Sequence, residues 1–500
     1  MTDPPPDLPE QMRVRRDKRQ RMIDSGKDAY PVTVERTHTL AQIRDAHAAA
    51  LEEGTLEPDT RTGEQVAIAG RVIFLRNTGK LCFARLREGE GGELQVMLSL
   101  ADLGEESLAQ FKELVDIGDL LAVRGEVVTS RRGELSVQAS SWAMAAKTLR
   151  PLPNEHAPLS DETRVRLRYV DMMVRDEPRA MVRTKATALR SLRSTLHERG
   201  YVEVETPILQ LTNGGAAARP FRTHLNAFDQ EMLLRIALEL DLKKAMIGGV
   251  DRVYEIGRTF RNEGLDSTHA AEFSMLEAYE AYGDQHTMID LTRGLVLGAA
   301  RALGRGSVPG RNGEEIDLEG PWREVAIHDL VSEAVGEAVD VTTDTTTLRA
   351  HAERHGVEVA PEQSAAEITV ELYEKLVERT LLQPTFVMDF PEAARPLAKP
   401  HRTTPGLNEA WDLVVNGVEM GTGYSELNDP VVQRERLERQ SLLAAAGDPE
   451  AMDLDEPFLQ AMEFGMPAAG GLGIGVDRLV MLLTGAGIRE TILFPLLRPH

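Results

Sequence analysis

Titratable side chains gather at the tip of a hairpin that the sequence predicts between Val253 and Tyr282. Two strand-like runs in this stretch flank a loop of about ten residues. The first run ends at Arg261, and Glu263 and His269 lie in the loop. A cation, a carboxylate and an imidazole therefore meet at one tip, which is more typical of a functional site than of a core.

The second run of this hairpin places chemically different side chains on one face. Because side chains alternate between the two faces of a strand, Phe273, Met275, Glu277 and Tyr279 share a face. A ring, a carboxylate and a phenol on one face suit a ligand pocket. The alternative on charge pattern alone is an antiparallel hairpin with one face in water.

A second pair of candidate residues, Asp412 and Glu419, flanks the dipeptide Asn416-Gly417. Asn-Gly is a strong signal for a two-residue hairpin turn, so the two carboxylates are expected close together on adjacent strands. Magnesium prefers oxygen ligands and shares one or two carboxylates with a nucleotide. The pair therefore indicates a Mg²⁺ site, and the alternative is two exposed carboxylates that repel each other.

A glycine-rich strand is predicted near the C-terminus, before a helix that begins around Asp477, and its sequence is AAGGLGIG. The run does not match G-x-G-x-x-G, which argues against a dinucleotide-binding unit. Glycine in a strand instead permits close approach of a ligand. Arg478 lies in the first turn of the helix, where an arginine taken alone is usually a surface residue.

Composition indicates a protein of several domains from a reducing compartment. The chain has 500 residues, a formal net charge of −23 and one cysteine, Cys82, which excludes an intramolecular disulfide. We expect a cytoplasmic protein without a membrane span, because no long apolar run and no signal sequence is present. The charge argues against broad nucleic-acid binding. A basic run at residues 13–21 is either a solvated helix face or a local RNA contact.

The pattern of the chain divides it into three predicted regions. Residues 1–60 are expected to form a helical N-terminal extension. Residues 61–150 show five short alternating runs and one helical insert, which fits an OB-fold β-barrel. Residues 151–500 contain all the candidate residues above and are expected to form a catalytic domain. Within it, residues 305–380 carry no chemical signal.

Three segments resemble the motifs of class II aminoacyl-tRNA synthetases, in the form carried by lysyl-tRNA synthetases. They are GYVEVETPIL (motif 1), FRNEG with EFSMLEAY (motif 2), and GLGIGVDRL (motif 3). The resemblance implies an α+β fold in which an OB-fold barrel precedes an antiparallel sheet flanked by helices. It also implies a homodimer, with motif 1 and Pro207 at the interface.

The resemblance assigns roles to the candidate residues of the nucleotide site. Arg261 would bind the α-phosphate of ATP, Phe273 would stack on adenine, and Arg478 would bind the γ-phosphate. Glu263 and His269 would complete the ATP site, and Arg261 and Arg478 would be the catalytic cations. Mg²⁺ would bind at Asp412 and Glu419, although Asp412 stands where many relatives have glutamate.

By the same resemblance, seven residues would bind the amino acid L-lysine: Gly215, Glu239, Glu277, Tyr279, Thr422, Tyr424 and Glu426. Three carboxylates that converge on a small amino acid demand a cationic ligand. The chain departs from the family at Leu238 and Asp241, where proline and tyrosine are common. It also has Thr422 in place of asparagine, which is expected to raise the Michaelis constant for lysine.

Runs in the barrel segment resemble the anticodon-binding domain of the same family. On that match, Phe83 would stack on an anticodon base, while Arg71, Gln95 and Glu134 would contact anticodon groups. Without the resemblance, a lone phenylalanine on a barrel strand is more often part of the core.

Taken together, the resemblance implies ATP-dependent activation of lysine and its transfer to tRNA(Lys). Two alternatives remain at this point. The chain could be a paralogue that supplies lysyl-tRNA to a tailoring pathway, or a catalytically silent RNA-binding regulator. An enzyme that lysylates a protein is disfavoured, because its relatives lack the barrel.

Overall fold

The computed structural model describes residues 8–89, 91–153, 159–445 and 451–498. The predicted regions 1–60, 61–150 and 151–500 each include some residues outside these ranges. Contacts divide the chain into two compact units, with the boundary between Arg179 and Ala180. Within the described ranges, no helix combines the length and the apolar character needed to cross a membrane.

The first unit contains a closed five-stranded barrel in the order β1-β2-β3-β5-β4. Its strands are β1 (Arg61–Asn77), β2 (Leu81–Arg87), β3 (Glu93–Ser99), β4 (Leu120–Thr129) and β5 (Leu135–Ala146). Its helices are α1 (Glu10–Asp24), α2 (Leu40–Glu52), α3 (Leu100–Leu114), α4 (Asp161–Arg166) and α5 (Arg168–Val174). The predicted barrel is therefore confirmed, with its one helical insert at α3. Alternation explains the core, because Cys82, Ala84 and Leu86 of β2 point inward and are buried.

The basic run lies on α1, and part of it serves the barrel. The Arg15 guanidinium donates to the hydroxyl of Thr148 at 2.6 Å and to the carbonyl of Ile117 at 2.8 Å. The Lys18 ammonium donates to Asp116 at 2.6 Å. These cations, together with the ion pair between Arg21 and Glu113, anchor α1 within the unit, while Arg13 and Arg16 are exposed.

The second unit is built on an eight-stranded sheet in the order β14-β15-β16-β17-β18-β11-β10-β6. The strands are β6 (Val202–Glu203), β10 (Arg252–Phe260), β11 (Glu272–Ala281), β14 (Arg323–Ala326), β15 (Thr385–Met388), β16 (Ala410–Val415), β17 (Val418–Ser425) and β18 (Ala469–Gly475). The six central strands pair antiparallel. The prediction of an antiparallel sheet needs one correction, because β14 pairs parallel with β15 and β6 pairs parallel with β10 at the two edges.

Helices and small sheets surround this central sheet. The helices are α6 (Glu177–Glu198), α7 (Glu239–Ile247), α8 (Gln285–Ala302), α9 (Ile327–Val335), α10 (Thr345–Arg354), α11 (Ala365–Leu376), α12 (Pro430–Ala445), α13 (Glu456–Glu463), α14 (Val476–Thr484) and α15 (Ile488–Thr491), with 3₁₀ turns at Glu378–Thr380 and Glu392–Ala394. The short strands β7 (Leu209–Gln210), β8 (Arg222–Leu225) and β9 (Gln230–Leu234) form one small sheet, and β12 (Ser307–Pro309) and β13 (Glu315–Asp317) form another. The strand predicted around motif 1 is shorter than its sequence indicates, since β6 has only two residues.

Both predicted hairpins form. β10 and β11 pair in register along their whole length, and Leu276 and Ala278 of β11 are buried in the core on the face opposite Glu277. At the second hairpin, Asn416 and Gly417 both have positive φ, as a type I′ turn requires. The turn joins β16 to β17.

Candidate active site

A cleft of about 500 Å³ lies over β11, β17 and β18 in the second unit. Twelve of the predicted site residues line it: Gly215, Glu239, Arg261, Glu263, His269, Phe273, Glu277, Tyr279, Glu419, Thr422, Tyr424 and Arg478. Asp412 and Glu426 are buried next to lining residues. Elements far apart in the sequence therefore bring fourteen of the eighteen predicted residues to one place, and the other four lie in the barrel.

Two arginines define what we call the basic end of the cleft, Arg261 and Arg478. The Arg261 guanidinium lies 5.4 Å from the centre of the Phe273 ring. Burial lowers the pKa of Arg261, while the nearby carboxylates of Glu263, Glu419 and Glu277 raise it, and the net pKa shift is downward. This partly desolvated cation faces the cleft, so the basic end suits an anionic ligand.

Arg478 occupies its position because α14 begins directly after the glycine-rich strand β18. Its guanidinium donates to the backbone carbonyl of Glu419 at 2.7 Å and lies 3.8 Å from the carboxylate of that residue. On the other side it lies 3.4 Å from the imidazole of His269, which in turn contacts Asp266 at 2.8 Å. Glu419 and His269 thus hold Arg478 at the cleft.

Three carboxylates define the opposite, acidic end, namely Glu239, Glu277 and Glu426. The Tyr424 hydroxyl donates to Glu239 at 2.8 Å. The backbone N–H of Leu238 and the Tyr279 hydroxyl each donate to Glu277 at 2.9 Å. A proline at position 238 would have no N–H to donate. Leu238 therefore provides a backbone hydrogen bond to Glu277 that a proline could not make.

Glu277 is buried deeply enough for its ionisation to be affected. Burial, followed by repulsion from Glu239, raises the pKa of Glu277 to about 7, although its two hydrogen-bond donors oppose the shift. Gly215 packs against this end with φ +85°, and a Cβ there would lie 3.2 Å from the Cβ of Glu239. A glycine is therefore required beside Glu239.

A resident cation, Lys243, lies among these carboxylates. Its ammonium contacts Glu239 at 2.5 Å and pairs with Glu426, and its side chain is completely buried. Burial alone lowers the pKa of Lys243, but Glu239 and Glu426 outweigh it and the pKa is raised. Lys243 therefore stays protonated and cancels one of the three negative charges.

The second carboxylate oxygen of Glu426, Oε1, has no hydrogen-bond partner within the described residues. A Cβ on Gly471 would lie 1.9 Å from this oxygen and 2.5 Å from the Tyr279 ring. Gly471 lines the cleft. Any side chain at position 471 would therefore collide with this oxygen and with Tyr279, so a glycine is required between the cleft and Glu426.

The geometry at Asp412 and Glu419 fits a hard divalent cation. A bulge in the hairpin places Thr422 opposite Asp412, and Glu419 opposite Val414. Asp412 Oδ1 is buried without a hydrogen-bond partner in the described part of the chain, and the Glu419 side chain is 44% exposed. No cluster of three or more histidine, cysteine, aspartate or glutamate side chains suited to a metal occurs within the described ranges. Nucleotide phosphates and water would have to supply the remaining ligands.

Of the four predicted residues in the barrel, Phe83 and Gln95 lie on the paired strands β2 and β3, and Glu134 directly precedes β5, which pairs with β3. Phe83 faces away from the core, and the Arg76 guanidinium lies 4.7 Å from the centre of its ring. Gln95 donates to the Ser136 hydroxyl at 2.9 Å, and the Arg85 guanidinium lies 3.8 Å from the Glu134 carboxylate. A core position for Phe83 is therefore excluded.

The fourth barrel residue, Arg71, makes a different contact, since its guanidinium donates to the backbone carbonyl of Gly118 at 2.8 Å. Burial lowers the pKa of Arg71.

Comparison with known proteins adds to this geometry. Residues 160–498 match the family model described as "tRNA synthetases class II (D, K and N)", and residues 66–144 match the model of an OB-fold nucleic acid binding domain. The chain belongs to the class II tRNA synthetases. The match over residues 66–144 of this synthetase corresponds to the barrel, and the match over 160–498 covers the sheet unit and the end of the first unit.

Relatives of this synthetase are similar over its whole length. The lysine–tRNA ligase of Mycolicibacterium gilvum is 52% identical, with 100% of this chain and 99% of that protein covered. The lysine–tRNA ligase of Kineococcus radiotolerans is 52% identical, with 99% and 98% covered. The lysylphosphatidylglycerol biosynthesis bifunctional protein LysX of Mycobacterium marinum is 49% identical, with 100% of this chain but only 44% of that protein covered.

Sequence reasoning missed three residues of this synthetase: Arg395 and Gly471, which line the cleft, and Lys243, which is buried behind it. Lys243 had a usable signal, because it lies four residues after Glu239 and therefore on the same helix face. The other two had none, since Arg395 meets Asp412 from a separate loop and Gly471 meets Glu426 across neighbouring strands.

Proposed function

We propose that this class II synthetase activates L-lysine with ATP and transfers it to tRNA(Lys). The observation that carries the proposal is the charge of the acidic end. When all three carboxylates are ionised, the Lys243 ammonium neutralises one of them and a net charge of two negative units remains. Lysine brings two ammonium groups to balance them, and its carboxylate suits the Arg261 guanidinium. Aspartate and asparagine bring only one ammonium group, so they leave a buried charge uncompensated.

In this proposal the two ammonium groups of lysine bind at different carboxylates. Glu426 Oε1, unpartnered behind Gly471, accepts from the ε-ammonium, with Tyr279 beside it. Glu239 and Glu277 bind the α-amino group near Gly215. Thr422 and Tyr424 complete the lysine site on β17.

ATP binds toward the basic end, with adenine on the Phe273 ring and its α-phosphate at Arg261. The Arg478 guanidinium binds the γ-phosphate, and Glu263 and His269 complete this site. The lysine carboxylate attacks the α-phosphorus, an oxygen–phosphorus bond forms, and pyrophosphate leaves. The chain contributes positioning and neutralisation of charge on the phosphate oxygens, and no covalent step. The ribose hydroxyl of the tRNA end then attacks the mixed anhydride, which releases AMP.

Mg²⁺ is part of this proposal as the partner of ATP. Asp412 and Glu419 would hold it, and when bound it neutralises phosphate charge. Both carboxylates remain next to the basic end in the free protein, so the chain itself positions the oxygen ligands.

The barrel would bind the anticodon through Phe83, Gln95 and Glu134, with Arg71 farther along β1. Stacking on the outward Phe83 ring fits single-stranded RNA. We also propose a cytoplasmic protein whose three regions, 1–60, 61–150 and 151–500, serve as extension, anticodon-binding domain and catalytic domain.

A homodimer is the proposed assembly, and exposed apolar side chains around motif 1 support it. Val202, Ile208, Leu209 and Leu211 are 52%, 43%, 44% and 66% exposed in the single chain. Such a cluster near Pro207 suits a protein interface. Of the alternatives, a catalytically silent regulator is not favoured, because it would not need the paired charges of both cleft ends.

ATP–pyrophosphate exchange with each of the twenty amino acids tests the proposal. We expect exchange with lysine alone, and charging of tRNA(Lys) by the same preparation. Exchange with aspartate or asparagine, or no exchange with any amino acid, would overturn it.

A further inference from the structure

Arg395 lies in the cleft next to the proposed metal ligands. It follows the 3₁₀ turn Glu392–Ala394 and lines the cleft. One guanidinium nitrogen pairs with Asp412 Oδ2, and the guanidinium carbon lies 4.5 Å from the centre of the Phe390 ring. The Asn408 amide donates to the Arg395 backbone carbonyl at 2.9 Å. The loop and the ring thus hold this cation against Asp412.

The ion pair with Arg395 limits which carboxylate oxygen of Asp412 is available as a metal ligand. The Arg395 guanidinium already takes Oδ2 and balances the charge of the carboxylate, so only the buried Oδ1 remains. Glu419 lies 3.8 Å from Arg478 and keeps its 44% exposed carboxylate open to the cleft. The two carboxylates are therefore unequal, because Asp412 is buried in direct contact with a guanidinium, whereas Glu419 is accessible and lies farther from its guanidinium partner.

We propose that Arg395 is a positioning residue that supplies part of the positive charge at Asp412 and keeps the free protein from binding a divalent cation tightly there. The metal then enters with the nucleotide and depends on Glu419 more than on Asp412. This proposal rests on the proposed function for the identity of the nucleotide, but the state of Asp412 in the free protein does not depend on it.

The expected effect is large enough to measure. Even at the dielectric constant of water, a unit charge about 6 Å from a divalent cation changes its affinity about tenfold. Removing the guanidinium as Arg395→Met frees Asp412 Oδ2 as a ligand as well. We therefore expect the nucleotide-free Arg395→Met protein to bind Mn²⁺ at least about tenfold more tightly than the wild type.

Titration of the full-length protein with Mn²⁺, followed by electron paramagnetic resonance without ATP or lysine, tests this inference. Arg395→Lys should keep the weak wild-type binding, and the double variant Arg395→Met with Asp412→Asn should lose the gain. Unchanged or weaker Mn²⁺ binding by Arg395→Met would overturn the proposal, as would a gain that survives in the double variant.

A second comparison does not require Arg395 to be replaced. With the Mn²⁺–ATP complex, Glu419→Gln should weaken binding of the metal severalfold, whereas Asp412→Asn should change it less than about twofold, since Arg395 already balances that carboxylate. Equal loss of metal affinity in the two variants would refute the proposal that Asp412 and Glu419 contribute unequally. The absence of lysine-dependent exchange in the wild type would overturn the proposed function but would leave the nucleotide-free titrations valid.

Discussion

The two ends of the cleft hold their charges in different ways. At the acidic end, the resident cation Lys243 is completely buried between Glu239 and Glu426, so no ligand reaches it. Next to the basic end, the Arg395 side chain is 32% exposed beside Asp412. The buried charges of the acidic end are therefore fixed and accommodate only a ligand of complementary charge. The more exposed charged side chains near the basic end can change their ion-pair partners during a reaction. In the proposed function, the acidic end determines selectivity and the basic end carries the chemistry.

The comparison predicts its largest effect at Glu426. Glu426→Gln leaves the Lys243 ammonium and the ligand ammonium without this carboxylate, and a broken buried pair costs about 3–5 kcal/mol. We expect lysine-dependent pyrophosphate exchange to fall by at least about a hundredfold. Circular dichroism and ATP binding serve as folding controls. Near-normal lysine activation would remove the case for lysine over another amino acid.

Arg261→Ala tests the basic end. A single electrostatic contact to a transition state contributes about a hundredfold or more, so exchange should drop by that factor even at saturating lysine. Arg258→Ala is the matched control, because Arg258 lies on β10, which ends directly before Arg261, and its exposed ion pair with Glu272 at 3.6 Å should contribute little. Equal losses in both variants would mean that Arg261 only supports the hairpin.

Phe83→Ala should leave both ends of the cleft unchanged. Loss of base stacking costs about 1–3 kcal/mol, so the Michaelis constant for tRNA should rise roughly tenfold. Lysine-dependent exchange, measured on the same preparation, should stay at the wild-type rate. A parallel loss of both activities would argue against a separate anticodon-binding role.

The acidic end should also respond to pH. Burial raises the pKa of Glu277 to about 7 and also raises the pKa of Glu426, and both carboxylates must be ionised to bind ammonium groups, so kcat/KM for lysine should rise with pH through this range. Ionisation of Glu277 alone gives about a tenfold rise between pH 6 and 8. Glu277→Gln should lower the rate and flatten the profile. A wild-type profile that is flat over this range contradicts the assignment.

Thr422→Asn should give the smallest effect. The Thr422 hydroxyl donates to the Trp411 carbonyl at 3.2 Å, so it is not free for a ligand. A longer amide could reach the lysine carboxylate and contribute about 0.5–1.5 kcal/mol, which would lower the Michaelis constant about threefold. Amino-acid preference should not change, because it depends on the acidic end. A changed preference would show that the two ends are not independent.

Local patterns in the sequence were sufficient to predict the strands and turns that form the cleft. Alternation placed Glu277 and Tyr279 on one face, and the Asn416-Gly417 pair located the second hairpin. The basis of the anticodon assignment was the resemblance, and the outward position of Phe83 agrees with it. These features depend on neighbours within a few residues along the chain.

Contacts between distant segments were not predictable in the same way. The loop that places Arg395 on Asp412 has no periodic pattern, and the close approach of Gly471 to Glu426 exists only after β17 and β18 pair. The parallel edges of the sheet depend likewise on strands far apart in sequence. In the sequence Leu238 is only a departure from the family pattern, and the folded chain reveals that its N–H donates to Glu277.

The anchoring of α1 has a consequence for synthesis. Arg15 leaves the ribosome 133 residues before Thr148, the hydroxyl that accepts its hydrogen bond. At typical rates of translation this interval is on the order of ten seconds. During that time Arg15 lacks its hydroxyl acceptor, which follows the last barrel strand, so the anchoring of α1 is completed only late in the synthesis of this unit.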